Sequence, residues 1–161
     1  MGDTSESYRS RFDRTHTAAD LAAAFLHLGA GESSGTTAAV AGRVMAVREH
    51  GKATFLVVRD GSSEVQLFLS EKVLAHDAYA AAGDLGVGDW VGATGEVVRT
   101  RRGELSVMPT EIVLLSKAVR PLPEKWHGLR DVETRYRQRY VDLIVNPDVR
   151  RVFELRSGVV T

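Results

Sequence analysis

The sequence of 161 residues contains no cysteine, which excludes disulfides, CxxC redox chemistry and thiolate metal sites. Its histidines, at 16, 27, 50, 76 and 127, fall at no metal-ligand spacing. There is no P-loop, no GxGxxG and no Ser–His–Asp arrangement, so the chain shows no catalytic residues and no cofactor site of its own. Long apolar runs are missing too. The most apolar stretch, 18–28, is too short to cross a bilayer, and the opening MGDTSESYRSRFDRTH has no apolar core of a signal peptide. A cytoplasmic protein without a membrane partner is expected. Charge of one sign is not in excess, since 21 basic residues balance 21 acidic ones. Any grip on nucleic acid must therefore be local. The mild basic bias lies in 118–161, with nine basic against six acidic side chains.

What is present reads mostly as strands. The segment to about His16 is polar and expected to be loose. Thr17-Ala-Ala-Asp20 has the form of a capping box, and Leu21, Phe25 and Leu28 form one apolar stripe on a short helix. Gly29 and Gly31 end that helix, and the run 31–35 reads as a linker. From Ala39 the period becomes two, with Val40, Gly42, Val44 and Ala46 on one face. A turn at 50–52 leads to a second strand over 53–59. Asp60-Gly-Ser-Ser is a hairpin signal before a third strand over 64–69. Ser70 is placed to cap a helix over 71–82 anchored by Val73 and Leu74. A fourth strand covers 90–100, and a fifth covers 104–115 with an interruption near Pro109. This order predicts a mainly β fold, a five-stranded OB-fold Greek-key barrel with an N-terminal helix and a helix between strands three and four. An SH3-like barrel and an open α+β sheet are the competing architectures. The expected division is a tail and short helix at 1–37, the barrel at 38–117, and a linker with a helix start at 118–161.

Alternation assigns the faces of the second and third strands. Leu56, Val58, Val65, Leu67 and Leu69 form the core set, leaving Phe55, Phe68, Gln66 and Arg59 outward. Outward aromatics beside polar groups suit a base-stacking platform. They equally suit a second small core beneath the N-terminal helix, and the sequence leaves both readings open. The loop after the first strand carries Arg48 and Lys52, and the loop between the fourth and fifth carries Arg99, Arg101 and Arg102. Both basic clusters fall where OB-folds place their binding rims. Their coincidence with the aromatic face favours RNA.

The strings VAGRVMAVREHGKATF (40–55), VQLFL (65–69), LGVGDWVGATGEVVRTRRGELSV (85–107) and RPLPEKWHGLRDVETRYRQRYVDLIVN (120–146) closely resemble class II lysyl-tRNA synthetases. The resemblance covers roughly residues 38–158. It implies an anticodon-binding barrel for the lysine tRNA ahead of a catalytic domain, with Phe55 stacking on the middle uridine, Gln66 and Glu111 contacting bases and Arg48 nearby. Phe68 stands where a Tyr is common in that family, and Arg59 where a Gln is frequent. Arg135, Arg137 and Arg139 could reach phosphates, though a packing role is favoured. In the full-length family the resemblance implies ATP, magnesium and a homodimer, with the ATP and magnesium sites beyond Thr161 and only the start of the dimerisation motif at 149–161. On that basis the chain is expected to bind tRNA and not to ligate. A stand-alone OB-fold binder and the synthetase portion of a lipid-lysylating enzyme are the alternatives.

Overall fold

The computed structural model describes residues 11–51, 53–123, 129 and 131–160. It divides into two compact units, 1–119 and 120–161.

The first unit is a closed barrel. Its elements are α1 (Ala18–Ala24), β1 (Ser33–His50), β2 (Ala53–Arg59), β3 (Glu64–Ser70), α2 (His76–Ala82), β4 (Trp90–Arg99) and β5 (Leu105–Ser116). The ring runs β1-β2-β3-β5-β4 and back to β1. Every pairing is antiparallel except β3 with β5. This is the OB-fold expected from the element order. β1 is long because it serves two neighbours, β4 through its first half and β2 through its second. The strand must coil tightly where it changes partner, and Gly42 sits there. A Cβ at Gly42 would lie 2.5 Å from the Arg59 carbonyl oxygen, so only glycine permits the approach.

The core is aliphatic. Leu56, Val58, Leu67 and Leu69 are buried with Val44, Val91, Val97 and Val107, and Ala18 and Leu21 of α1, with Phe25 at its C-cap, join the same cluster. Faces on β2 and β3 therefore fall as alternation predicts. Four local expectations are corrected. A bulge at Met45 lets Val44 pair with Val58 and Ala46 with Val57, which shifts the phase so that Val47, not Ala46, packs on the core. The glycine-serine run is not simply a linker, because Ser33 already pairs with Val98. Residues 11–16 are not loose: Thr15 N–H donates to the Ala39 carbonyl at 2.9 Å and Thr15 Oγ1 accepts from Ala39 N–H at 2.9 Å. Phe12 lies against Gly92, where a Cβ would come within 2.6 Å of the ring. Ser70 caps no helix. It opens a turn through its carbonyl, which accepts from Val73 and Leu74 N–H, and α2 begins only at His76. Leu74 is buried as expected, but Val73 is exposed.

α1 is held at its start from two sides. Thr17 Oγ1 accepts from Asp20 N–H at 3.1 Å, and Asp20 accepts from Thr17 N–H at 2.9 Å, completing the capping box. Ala18 N–H donates to Asp60 and Ala19 N–H to the Ser62 hydroxyl, so the hairpin turn after β2 satisfies the remaining free donors. Thr17→Ala is expected to cost about 1 kcal/mol in urea unfolding, the usual loss for a side-chain cap.

The second unit contains α3 (Val132–Arg137), α4 (Arg139–Val145) and α5 (Pro147–Val160). Its buried centre is polar. Asp142, fully buried, accepts from Arg135 at 3.0 Å and also from Arg139 and Asn146. Arg137 pairs with Glu133 at 2.7 Å. Arg135, Arg137 and Arg139 are therefore bonded to carboxylates of their own unit. Arg139 also lies over the rings of Tyr136 and Phe153, at 4.9 and 5.4 Å.

Candidate nucleic-acid interface

β2 and β3 form a hairpin without a bulge, and direct cross-strand pairs share a face. Arg48 of β1 lies opposite Phe55 of β2, which lies opposite Phe68 of β3. The two phenyl rings are parallel, 5° apart in plane with centroids at 5.0 Å. Both are half-buried and neither belongs to the barrel core. The buried side chains of α1 join the barrel core instead. The ring pair borders a groove of about 470 Å³ whose lining includes Arg48, His50, Gln66, Arg101, Arg102 and Glu104. The β1–β2 end supplies cations on one side and the β4–β5 turn supplies them on the other.

The next cross-strand row runs Ala46, Val57, Gln66 and Ser106. Gln66 Nε2 donates to Ser106 Oγ at 2.8 Å, and Ser106 Oγ donates to the Glu104 carbonyl at 3.3 Å. Gln66 is thus a buried, bonded amide on the groove floor, not the solvated strand residue its type alone suggests.

The groove therefore brings together Phe55, Phe68, Gln66, Arg48, Arg101 and Arg102. It does not include three other expected residues. Arg59 lies at the far end of β2 and bonds Glu64 through Nε at 2.8 Å. Arg99 turns inward, donating to the carbonyls of Gly103 at 2.8 Å and Phe25 at 3.2 Å. Its Nε is buried without a partner among the described residues. Glu111 is exposed opposite Thr94, beside a bulge in β5. Lys52 lies outside the described residues. Among the groove residues without a signal in the sequence is His50, whose ring meets the edge of Phe55 at 6.1 Å; Ser106, buried behind the lining, reaches Gln66 only through the parallel pairing.

Among the described residues no three His, Cys, Asp or Glu side chains come together to hold a metal ion. No helix of the described residues is long and apolar enough to cross a membrane.

Residues 38–115 match the family of OB-fold nucleic acid binding domains. Over 155 residues the chain is 48% identical to a lysine–tRNA ligase of Carboxydothermus hydrogenoformans, covering 96% of this chain and 31% of the relative. It is 50% identical to one from Thermosynechococcus vestitus, covering 93% and 31%. A third, from Xanthomonas oryzae pv. oryzae, is 51% identical over 159 residues, covering 96% and 31%. The chain spans about a third of the length of these relatives.

Proposed function

We propose that this chain, which belongs with the N-terminal region of the lysine–tRNA ligases and carries their OB-fold nucleic-acid-binding domain, holds the anticodon loop of a lysine tRNA in its groove. The observation that carries this reading is one groove with a stacked pair of aromatic rings in its wall and guanidinium groups on both sides. A base needs a flat apolar face, and the phosphates flanking it need cations a few ångströms away. In this reading Phe55 and Phe68 form the stacking platform, Gln66 meets the edge of the middle base, and Arg48, Arg101 and Arg102 meet the backbone. Glu111, Arg59 and Arg99 are the expected contacts that the groove's lining does not include. The reaction served is attachment of lysine to tRNA in the cytoplasm, with this region selecting the tRNA.

The test is titration of the purified chain with a uridine-rich anticodon stem-loop and with the same stem-loop carrying a changed middle base. Preference for the uridine-rich loop supports the reading, and equal binding of both loops overturns it. Arg101→Ala is expected to weaken both loops alike and to reduce the salt slope of log K by about 0.7, the value for one lost phosphate contact on a single strand. A selective effect on one loop would instead make Arg101 a base contact.

A further inference from the structure

A glutamine amide has two orientations, and they read opposite bases. With its carbonyl and one amide hydrogen offered to a pyrimidine, Oε1 accepts the N3–H of uridine while Nε2 donates to O4. Turned over, Nε2 meets the bare N3 of cytidine and Oε1 accepts from the cytidine amino group. The two rings have the same size, so stacking on Phe55 does not separate them. Discrimination at such a site requires something that holds the amide one way round.

We propose that Ser106 is that positioning residue, fixing Gln66 so that the groove selects uridine over cytidine. Ser106 is fully buried. Its hydroxyl has a single hydrogen, and that hydrogen goes to the Glu104 carbonyl at 3.3 Å. Toward Gln66 the Oγ is therefore an acceptor, and it takes Nε2 at 2.8 Å. Turning the amide over would set Oε1 against Oγ. Two acceptors would then face each other unless the hydroxyl turned away from Glu104, giving up its bond and leaving that carbonyl with the Thr100 N–H alone. The polarity thus begins at a main-chain carbonyl in the β4–β5 turn and passes through Ser106 to the amide. That turn also carries Arg101 and Arg102 to the groove, so the segment facing the phosphates also sets the orientation of the base-reading group.

This inference rests on the groove being an anticodon site, and the experiment separates the two. Stem-loops with uridine or cytidine at the middle position are titrated against the parent, Ser106→Ala and Ser106→Thr, with circular dichroism reporting the fold. Ser106→Ala is expected to reduce the uridine-to-cytidine preference about tenfold, the equivalent of one hydrogen bond of discrimination. Part of that change appears as stronger cytidine binding, which damage to the fold would not produce. Ser106→Thr keeps the hydroxyl and is expected to restore the preference. If Ser106→Ala does not fold, Ser106→Cys, whose thiol is a weak donor, gives the same comparison. A parent that prefers uridine alongside a Ser106→Ala variant that prefers it equally overturns the role of Ser106 alone. A parent that binds neither loop overturns the anticodon reading, and this inference with it.

Discussion

Asp60→Asn is expected to lower the stability of the barrel by about 2 kcal/mol at pH 7 and to make little difference near pH 2. The Asp60 carboxylate is almost fully buried. Burial by itself would raise its pKa. Against that stand the Ser62 hydroxyl and the N–H groups of Ala18, Ser63 and Ser62, and together they hold it at about 2, below the ordinary 3.8. Oδ1 accepts from Ser62 N–H at 2.6 Å, Ser62 Oγ at 2.7 Å and Ser63 N–H at 3.0 Å, while Oδ2 accepts from Ala18 N–H at 2.9 Å. Arg14 adds an ion pair at 3.7 Å. One side chain thus ties the β2–β3 turn to the start of α1. Because the folded pKa is depressed, this stabilisation is complete above the unfolded value near 3.8 and disappears as the pH falls toward 2. At about 1.4 kcal/mol per pKa unit, the depression corresponds to the stated magnitude. Urea unfolding of parent and variant between pH 2 and 7 checks it. A difference that does not change with pH would mean that the turn, and not the ionised carboxylate, supplies the stability.

The faces of β2 and β3 were legible because their hairpin keeps register without interruption, so alternation carried from Phe55 through Phe68. The same rule failed along β1, where the bulge at Met45 consumes one residue without any marker in the sequence. The Ser70 cap failed for a different reason. Serine after a strand opens a turn as readily as a helix, and the exposed Val73 gave the first turn little to bury.

In the candidate site, what was legible is what β-hairpins determine locally. Arg48 and Phe55 sit opposite each other through a short turn, and Arg101 and Arg102 occupy the tip of another. What was hidden depends on non-local pairing. Ser106 meets Gln66 because β3 and β5 run parallel, an arrangement set by barrel closure across a sequence separation of 40. Arg99 looked like a rim cation by proximity to Arg101, yet its position on β4 turns it toward the Phe25 carbonyl beneath α1. Charge counts along a loop cannot distinguish these cases, because a guanidinium can serve carbonyls as well as phosphates.

The aromatic pair gives the largest expected effect on binding. Phe55→Ala is expected to weaken binding of the uridine-rich stem-loop by about 1–3 kcal/mol, the range for removing one stacked base. Phe55 and Phe68 are stacked on each other at 5.0 Å, so they act as one platform and not as two sites. A base resting on Phe55 depends on Phe68 for the orientation of that ring. Phe68→Ala should therefore weaken binding less than Phe55→Ala, and the double variant should lose little beyond Phe55→Ala alone, because adjacent groups acting as a unit are not additive. Neither ring belongs to the barrel core. The loss of stability should accordingly stay near the 0.5–1.5 kcal/mol that about one aromatic pair contributes, leaving the fold intact at ordinary temperature. Parallel RNA titration and urea unfolding of the two single variants and the double variant separate binding from folding. Phe55→Ala binding as tightly as the parent would remove the stacking platform from this face. A full sum of the two single losses in the double variant would instead mean that each ring holds a base of its own.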